Sequence, residues 1–550
     1  MKILNNYELT LESTFELKLT QEEKMKYKYL IITLLLGMVS LTSCNDVWEE
    51  HYTPGAGIKS KLNLYDYIKA QPDLTTFTQM LKIAGYDTIL TKSQTYTVWA
   101  PVNSGLTGVD LKDSAYVTEL VKNHISRFSY PTSGINSKTV FMLDQKFIVF
   151  KRTETGFSFG GKTLLQENTS TLNGILHKVD GYVPYLMNIW EFIGKTPGLD
   201  SLRAYLYSQS TSIFDLAHSV EIGTNTQHQA VYDSVIIFSN PILDKIGHLQ
   251  LEDSTFAAIL PSNTAWTKVY NVIKSNYNTL PKDGGVAQQR LNTQWAIVRN
   301  SVFKFKDLLI DPVMYDSLIS TTGSVFHPSS YLFDGATRNS VSNGYAYVSD
   351  SLRIKAADSW QQPIQIEAEN SSYGRSFLYS SIYIRSGLGS AFNVSQNKYL
   401  VCEPTTVSKS TQNSVTFPIP NTLSGNYKIY CVFVPSSILS VDDVRRYKVR
   451  FSLSYLNSAG VQVSNAAITA TNGISTSNGA IGATFTTNPS AITKMFVTQF
   501  SFPYCNLFTT KSALSDITVK LKVENTALIT ETVNFDRIFR IDYIILEPVQ

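Results

Sequence analysis

Histidine and cysteine are scarce, seven and four among 550 residues. No HExxH, CxxC, Walker A loop or GxSxG motif occurs, so the local signatures of zinc hydrolases, dithiol redox proteins, P-loop NTPases and serine hydrolases are missing. The histidines (His51, His124, His177, His218, His228, His248, His327) do not pair at metal-ligand spacing. The expectation is a protein with no catalytic residue, metal site or cofactor; a triad assembled from distant segments would leave no local trace. Charge is also sparse: 17% charged residues and a formal net charge of +3. Lys and Arg are dispersed without an aromatic-basic stripe, which argues against nucleic acid as a partner. Long apolar runs are nearly absent. The one run, Leu30 to Leu41, has 12 residues, too few for the ~20 that span a bilayer as a helix, which excludes a multi-pass membrane protein.

That run has other uses. Lys24, Lys26 and Lys28 precede it and Leu41-Thr42-Ser43-Cys44 ends it. A basic stretch followed by a short apolar one makes a secretory signal. The ending resembles a bacterial lipobox, which implies lipidation of Cys44. Residues 1–43 are read as the signal, with Met25 as the true start because Glu8, Glu12, Glu16, Glu22 and Glu23 are foreign to such signals. Residues 44–58, with Pro54, Gly55 and Gly57, read as a lipidated tether. The acidic Asp46, Glu49 and Glu50 after Cys44 resemble the surface-export signal of Bacteroidetes lipoproteins. The implied location is the outer membrane, exposed at the cell surface. Cys402, Cys431 and Cys505 are an odd number, so at most one bridge forms among them; buried unpaired thiols are the alternative.

Residues 59–192 carry a recognisable order. Asp73 is an N-cap candidate, followed by Leu74, Phe77, Leu81 and Ala84 at helical spacing, with Gly85 as the stop. Tyr96 to Asn103 is a β-prone run ended by Pro101, and Asn173-Gly174 opens an alternating strand through Asp180. The runs Thr97–Asn103 and Asn173–Asp180 resemble the two signatures of the fasciclin (FAS1) domain, with Trp99 where Phe is usual. Residues 193–358 repeat the landmarks in a degraded form: Phe256–Asn263, Val298–Phe305 and Asn343–Asp350. There Ser301 stands for His124 and Tyr347 for His177. His124 and His177 are expected to be structural. Gly194, Pro197 and Gly198 mark the expected break between copies.

From 359 to 550 the period becomes two. Tyr447, Val449, Phe451, Leu453 and Tyr455 alternate with polar residues, as do Ile517 to Val523 and Tyr427 to Phe433. Such alternation means antiparallel strands with one buried face each. The fold class expected is therefore multidomain: two α+β fasciclin-like domains, then an all-β jelly roll or β-sandwich, strung in series. The last domain opens with Ile364–Glu369 and closes with Arg540–Glu547, which resembles carbohydrate-binding modules of jelly-roll fold. That resemblance implies a structural calcium at Glu367, Glu369 and Asp542; a solvent-facing strand edge is the plainer alternative.

Sugars are held by aromatic rings stacked on their apolar faces, with polar groups on the hydroxyls. Tyr373, Arg375, Tyr379 and Tyr383, near Asn370, are the candidate ligand-binding residues. The expected function is non-catalytic capture of an extracellular polymer, a glycan, for uptake with a neighbouring outer-membrane transporter. The alternative is FAS1-mediated adhesion to another protein, host matrix or biofilm.

Overall fold

The structure, a computed structural model, describes residues 58–549 apart from 218–219, 225–229, 234–235, 305–310, 406–410, 471–472 and 478. It divides into two compact units, residues 1–186 and 187–550. Cys44 and the tether lie outside the described residues.

In the first unit, helices α1 (Leu64–Lys69), α2 (Thr75–Ile83) and α3 (Ser114–Lys122) accompany one seven-stranded sheet. Its strands are β1 (Tyr96–Pro101), β2 (Ile125–Ser126), β3 (Ser137–Phe141), β4 (Phe147–Thr153), β5 (Gly156–Phe159), β6 (Lys162–Thr171) and β7 (Gly174–Val179), in spatial order β2-β1-β7-β6-β5-β4-β3. The two signature runs become neighbours: β1 and β7 pair in parallel, with Val98 opposite Leu176 and Trp99 opposite His177. Side chains alternate across a strand, so Val98, Ala100 and Leu176 face the helices. Trp99 faces the opposite core of Phe150, Phe157 and Phe159. Its ring stacks on Phe159 at 4.4 Å between centres. Asp73 is not the cap of α2. Pro72 starts a 3-10 turn there, Leu74 is the N-cap, and the Asp73 carboxylate instead takes Lys178 Nζ at 2.9 Å.

The second unit opens with a second copy of this arrangement. Helices α4 (Ile189–Lys195), α5 (Asp200–Ser208), α6 (Asn263–Ile273) and α7 (Gly285–Val298) surround strands β8 (Phe256–Pro261), β9 (Val302–Lys304), β10 (Thr337–Val341) and β11 (Gly344–Ser349). The sheet order is β9-β8-β11-β10. β8 and β11 pair in parallel from Phe256 opposite Gly344, the register of Tyr96 opposite Gly174 in the first copy. Gly174 and Gly344 both have positive φ, and a Cβ there would lie 2.0 and 1.9 Å from the carbonyl oxygens of Tyr96 and Phe256, so only glycine fits. Gly194 lies inside α4, so the repeat begins upstream of it, at Asn188, which caps α4 as Asn63 caps α1.

Residues 364–548 form two sheets. One holds β12 (Ile364–Glu367), β14 (Ser380–Ser386), β15 (Lys398–Pro404), β17 (Gly425–Phe433), β22 (Thr493–Phe502) and β24 (Phe539–Pro548), ordered β14-β15-β24-β17-β22 with β12 also on β24. The other holds β13 (Ser376–Leu378), β16 (Ser414–Pro418), β18 (Lys448–Leu456), β19 (Gln462–Ala470), β20 (Gly473–Ser475), β21 (Phe485–Thr486) and β23 (Lys520–Asn525). Inner residues of both sheets, including Ile429, Phe433, Phe451, Leu453, Leu521 and Ile544, are fully buried. Phe500 meets Tyr455 across the interior at 4.4 Å between ring centres. This is a β-sandwich. The fold is thus fasciclin-like α+β, twice, followed by a β-sandwich.

The second fasciclin-like module and the sandwich share one continuous apolar core. A seam of hydrogen bonds joins them: Ser424 N donates to Asn276 O (2.9 Å), Ser424 Oγ to Ser275 O (2.7 Å), and Asn278 N to Ser424 Oγ (2.9 Å). Cys505 N donates to Asn278 O at 2.9 Å. Cys402, Cys431 and Cys505 are all free, the first two buried. Burial pushes the Cys402 and Cys431 thiols up, which keeps them protonated and inert.

Candidate functional site

The two histidines of the first module are core groups. His177 is fully buried; its Nδ1 accepts from Asn168 N (3.3 Å) and its Nε2 lies 2.9 Å from Tyr130 O. His124 is fully buried too, with Nδ1 2.8 Å from Leu120 O and Nε2 accepting from Val183 N (3.0 Å). Each ring spends one nitrogen as donor and one as acceptor, the pattern of a neutral imidazole. Burial pulls both down to about 4. In the second module Tyr347 replaces His177 and its hydroxyl donates to Asp311 Oδ1 at 2.7 Å. Ser301 replaces His124 and donates to Val298 O. Both replacements satisfy their own polar atoms, as buried structural positions require.

The tyrosines singled out from the sequence do not come together. Between Leu378 and Ser380 the chain crosses from one sheet of the sandwich to the other, with Tyr379 at the crossing, exposed and at φ 49°. Tyr373 packs edge-on against Phe508. Arg375 turns inward, donating from Nη1 to Ala368 O at 2.7 Å. Tyr383 lies on β14, packs against a small cluster of Val394, Tyr399, Val401 and Val434, and bonds Glu403. Four neighbours in sequence thus lie on either side of a crossing between sheets.

Another set does converge, on the outer face of the six-stranded sheet. Tyr430 on β17 lies opposite Ile545 on β24 and Phe496 on β22. Tyr543 follows on β24, opposite Val432 and opposite Glu367 of β12. Tyr430, Phe496, Tyr543 and Ile545 are half-buried, while Lys428 and Lys494 are exposed. The Tyr430 and Phe496 rings meet edge to face at 5.4 Å. Lys494 Nζ sits 4.5 Å from the Tyr430 ring centre and donates to Glu547 Oε1 at 2.6 Å. Half-buried aromatic side chains thus lie on three neighbouring strands of this face, with the Lys494–Glu547 pair beside Tyr430. Sequence alternation held a clue: Tyr430 falls on the polar side of the pattern Tyr427, Ile429, Cys431. The bulge at Ile429/Tyr430 shifts the register of Phe496, hiding its partnership with Tyr430.

Beside this face lie the carboxyls of Glu367, Glu369 and Asp542. Ser395 Oγ and Gln365 Nε2 donate to Glu367 Oε1 at 2.8 and 2.7 Å, and Ser395 N donates to Asp542 Oδ1 at 3.1 Å. Glu367 Oε2 and Glu369 Oε2 are buried without a hydrogen-bond partner, while both residues are half-buried and Gln365 is exposed. Burial first, then the charges of Glu367 and Glu369, push Asp542 up to about 7. Among the described residues no group of three or more Asp, Glu, His or Cys side chains could hold a metal ion.

A family model, the Fasciclin domain, matches residues 72–183. Residues 72–183 are a fasciclin domain. No curated protein matches the chain. Among solved structures it is similar to a FAS1 domain pair from the insect cell adhesion molecule Fasciclin I, at 12% identity and a TM-score of 0.20, covering 52% of this chain and 98% of that one. It is also similar to a family 35 carbohydrate-binding module from Clostridium thermocellum, at 9% identity and a TM-score of 0.16, covering 34% and 99%. A Paenibacillus xanthan lyase is similar at 11% identity and a TM-score of 0.20, over 42% of this chain and 20% of that one. The placement of the fasciclin domain rests on the family match, and that of the sandwich on its strand order and registers. No helix among the described residues is long and apolar enough to cross a membrane.

Proposed function

We propose that the chain is a non-catalytic cell-surface lipoprotein, anchored through Cys44, that captures an extracellular glycan on the outer face of the sandwich for a neighbouring outer-membrane transporter. One observation carries this reading: Tyr430, Phe496 and Tyr543, all half-buried, lie on three neighbouring strands of one sheet face, with Lys494 and Glu547 beside Tyr430. Ring faces take the apolar faces of sugars and the charged pair takes hydroxyls. The Lys494–Glu547 pair is partly exposed, so a ligand displaces it at a cost of about 1 kcal/mol or less. A glycan array probed with the full chain, beside Tyr430→Ala and Tyr543→Ala, tests the reading. Loss of a bound glycan in both variants, with folding retained, supports it; undiminished binding sinks it. The fasciclin domain at 72–183 supports a second reading, adhesion to a protein, host matrix or biofilm. Protein binding that survives both substitutions would favour that one.

A further inference from the structure

The loop that joins β2 to β3 is tied to the interior at several points. Thr97 Oγ1 donates to Phe128 O at 2.7 Å and accepts from Tyr130 N at 3.0 Å. Tyr130 O lies 2.9 Å from Nε2 of His177. Thr132 N donates to Asn168 Oδ1 at 2.9 Å, and Asn168 Nδ2 donates back to Thr132 Oγ1. Gly134 turns the chain at φ 75°, and Arg152 N closes the loop on Asn136 O at 2.8 Å. Thr97, Thr132, Asn168 and His177 are all buried. A surface loop pinned by buried polar groups keeps one shape, so ordering it costs a ligand little.

That shape encloses a cleft of about 260 Å³, lined by residues 129–138 apart from Thr132. The volume lies just below the range of ordinary small-molecule sites and suits one sugar-sized group. The lining has no carboxylate, and the chain carries no Asp or Glu from Leu120 to Leu143. Lys138 is the one cation of the lining. Its Nζ sits 5.0 Å from the ring centre of Tyr130 and, among the described residues, joins no ion pair. Ser129, Ser133, Asn136 and Ser137 are exposed, and among the described residues their side chains have no protein partner. An ammonium without a counter-charge, set among three hydroxyls and an amide, matches a ligand that brings one anionic group on a hydroxyl-bearing frame. An acidic peptide matches less well, because its carboxylate would engage Lys138 and leave the hydroxyls to water.

We propose that the 129–138 cleft binds an acidic sugar, with the carboxylate or sulfate on Lys138 and the sugar hydroxyls on Ser129, Ser133, Asn136 and Ser137. The cleft belongs to the fasciclin domain and requires neither the lipid anchor nor the outer face of the sandwich. The test is saturation-transfer NMR on the full chain with methyl glucuronide, glucose sulfate, methyl glucoside and acetate as probes. At least one of the two anionic sugars should bind, and the comparison between them separates a carboxylate from a sulfate as the recognised group. Methyl glucoside and acetate should each bind on the order of tenfold more weakly, the first lacking the charge and the second the hydroxyls. Lys138→Gln should bring a loss of the same size. Ser133→Trp fills the cleft and leaves the charge in place, and it should abolish binding. Both positions are exposed, so unchanged melting temperatures are expected for the two variants. Binding retained in Tyr430→Ala/Tyr543→Ala assigns the signal to this cleft, and failure of the sandwich face as a glycan site would leave that result standing. The proposal is overturned if neither anionic sugar binds, if methyl glucoside or acetate binds as tightly, or if binding is unchanged in Lys138→Gln and Ser133→Trp.

Discussion

Asn173 and Asn343 make the same three hydrogen bonds in the two halves of the repeat. Asn173 Oδ1 accepts from Leu64 N at 2.8 Å, and its Nδ2 donates to Leu90 O and Lys92 O. Asn343 Oδ1 accepts from Ile189 N at 2.9 Å, and its Nδ2 donates to Leu249 O and Leu251 O. Each ties the start of its module's first helix to the loop before the first signature strand. Asn173→Ala and Asn343→Ala should each cost about 2–3 kcal/mol, because buried backbone groups lose their partner. Calorimetry should show the first loss in the transition of unit 1 and the second in that of unit 2. A loss under about 0.5 kcal/mol would make the shared geometry incidental.

Acid should weaken the first unit through its histidines. His124 and His177 sit at about 4 in the folded chain, against about 6.5 when unfolded. Their contribution is whole above 6.5 and is lost as pH falls toward 4, on the order of 1–2 kcal/mol per ring by pH 5. Asp144, pushed up to about 7 chiefly by burial, works the other way. Asp144→Asn should therefore melt progressively lower between pH 7 and pH 5, and more steeply than the parent chain. A flat profile in that variant would contradict the neutral, buried placement of both rings.

The sandwich should respond in the opposite sense. Asp542 is raised to about 7, so its favourable protonation is complete below about 4 and is lost as pH rises through 7. The melting temperature of unit 2 should rise between pH 8 and pH 5.5, and Asp542→Asn should remove most of that rise. Equal pH dependence in both proteins would show that Asp542 is not the group that carries the change.

The seam at Ser424 makes a further expectation specific. Ser424 is nearly buried and bonds both Ser275 and Asn278. The second fasciclin-like module and the sandwich should unfold in one transition, which Ser424→Ala lowers by about 1–3 kcal/mol without splitting it. Two resolved transitions in the parent chain would refute a common core. Removing 359–550 should likewise leave 187–358 prone to aggregation.

Local patterns were legible in the sequence where one rule acted alone. Asn-Gly before an alternating run placed β7 and β11, and period two placed Tyr447, Val449, Phe451 and Leu453 inside. The parallel pairing of β1 with β7 was not readable from spacing, because the partners are separated by the whole meander β2–β6. The aromatic cluster on the six-stranded sheet was hidden for a related reason. Tyr373, Tyr379 and Tyr383 are close along the chain but straddle a crossing between sheets, whereas Tyr430, Phe496 and Tyr543 are far apart and meet through strand pairing. The seam left no signal because Ser424, Asn276 and Asn278 are ordinary loop residues until the modules dock.

A polymer held at Tyr430 and Tyr543 would pull on β17 and β24, which are adjacent strands inside the six-stranded sheet. Tension applied there is shared by hydrogen bonds on both sides of each strand. It would pass on through Ser424, at the entrance to β17, into the turn that follows α6. Those bonds are 2.7–2.9 Å long, partly buried and backed by apolar contact, so the load would be passed on within this unit. The second fasciclin-like module would then act as a rigid mount for the sandwich, able to keep its grip while the captured chain is dragged by flow.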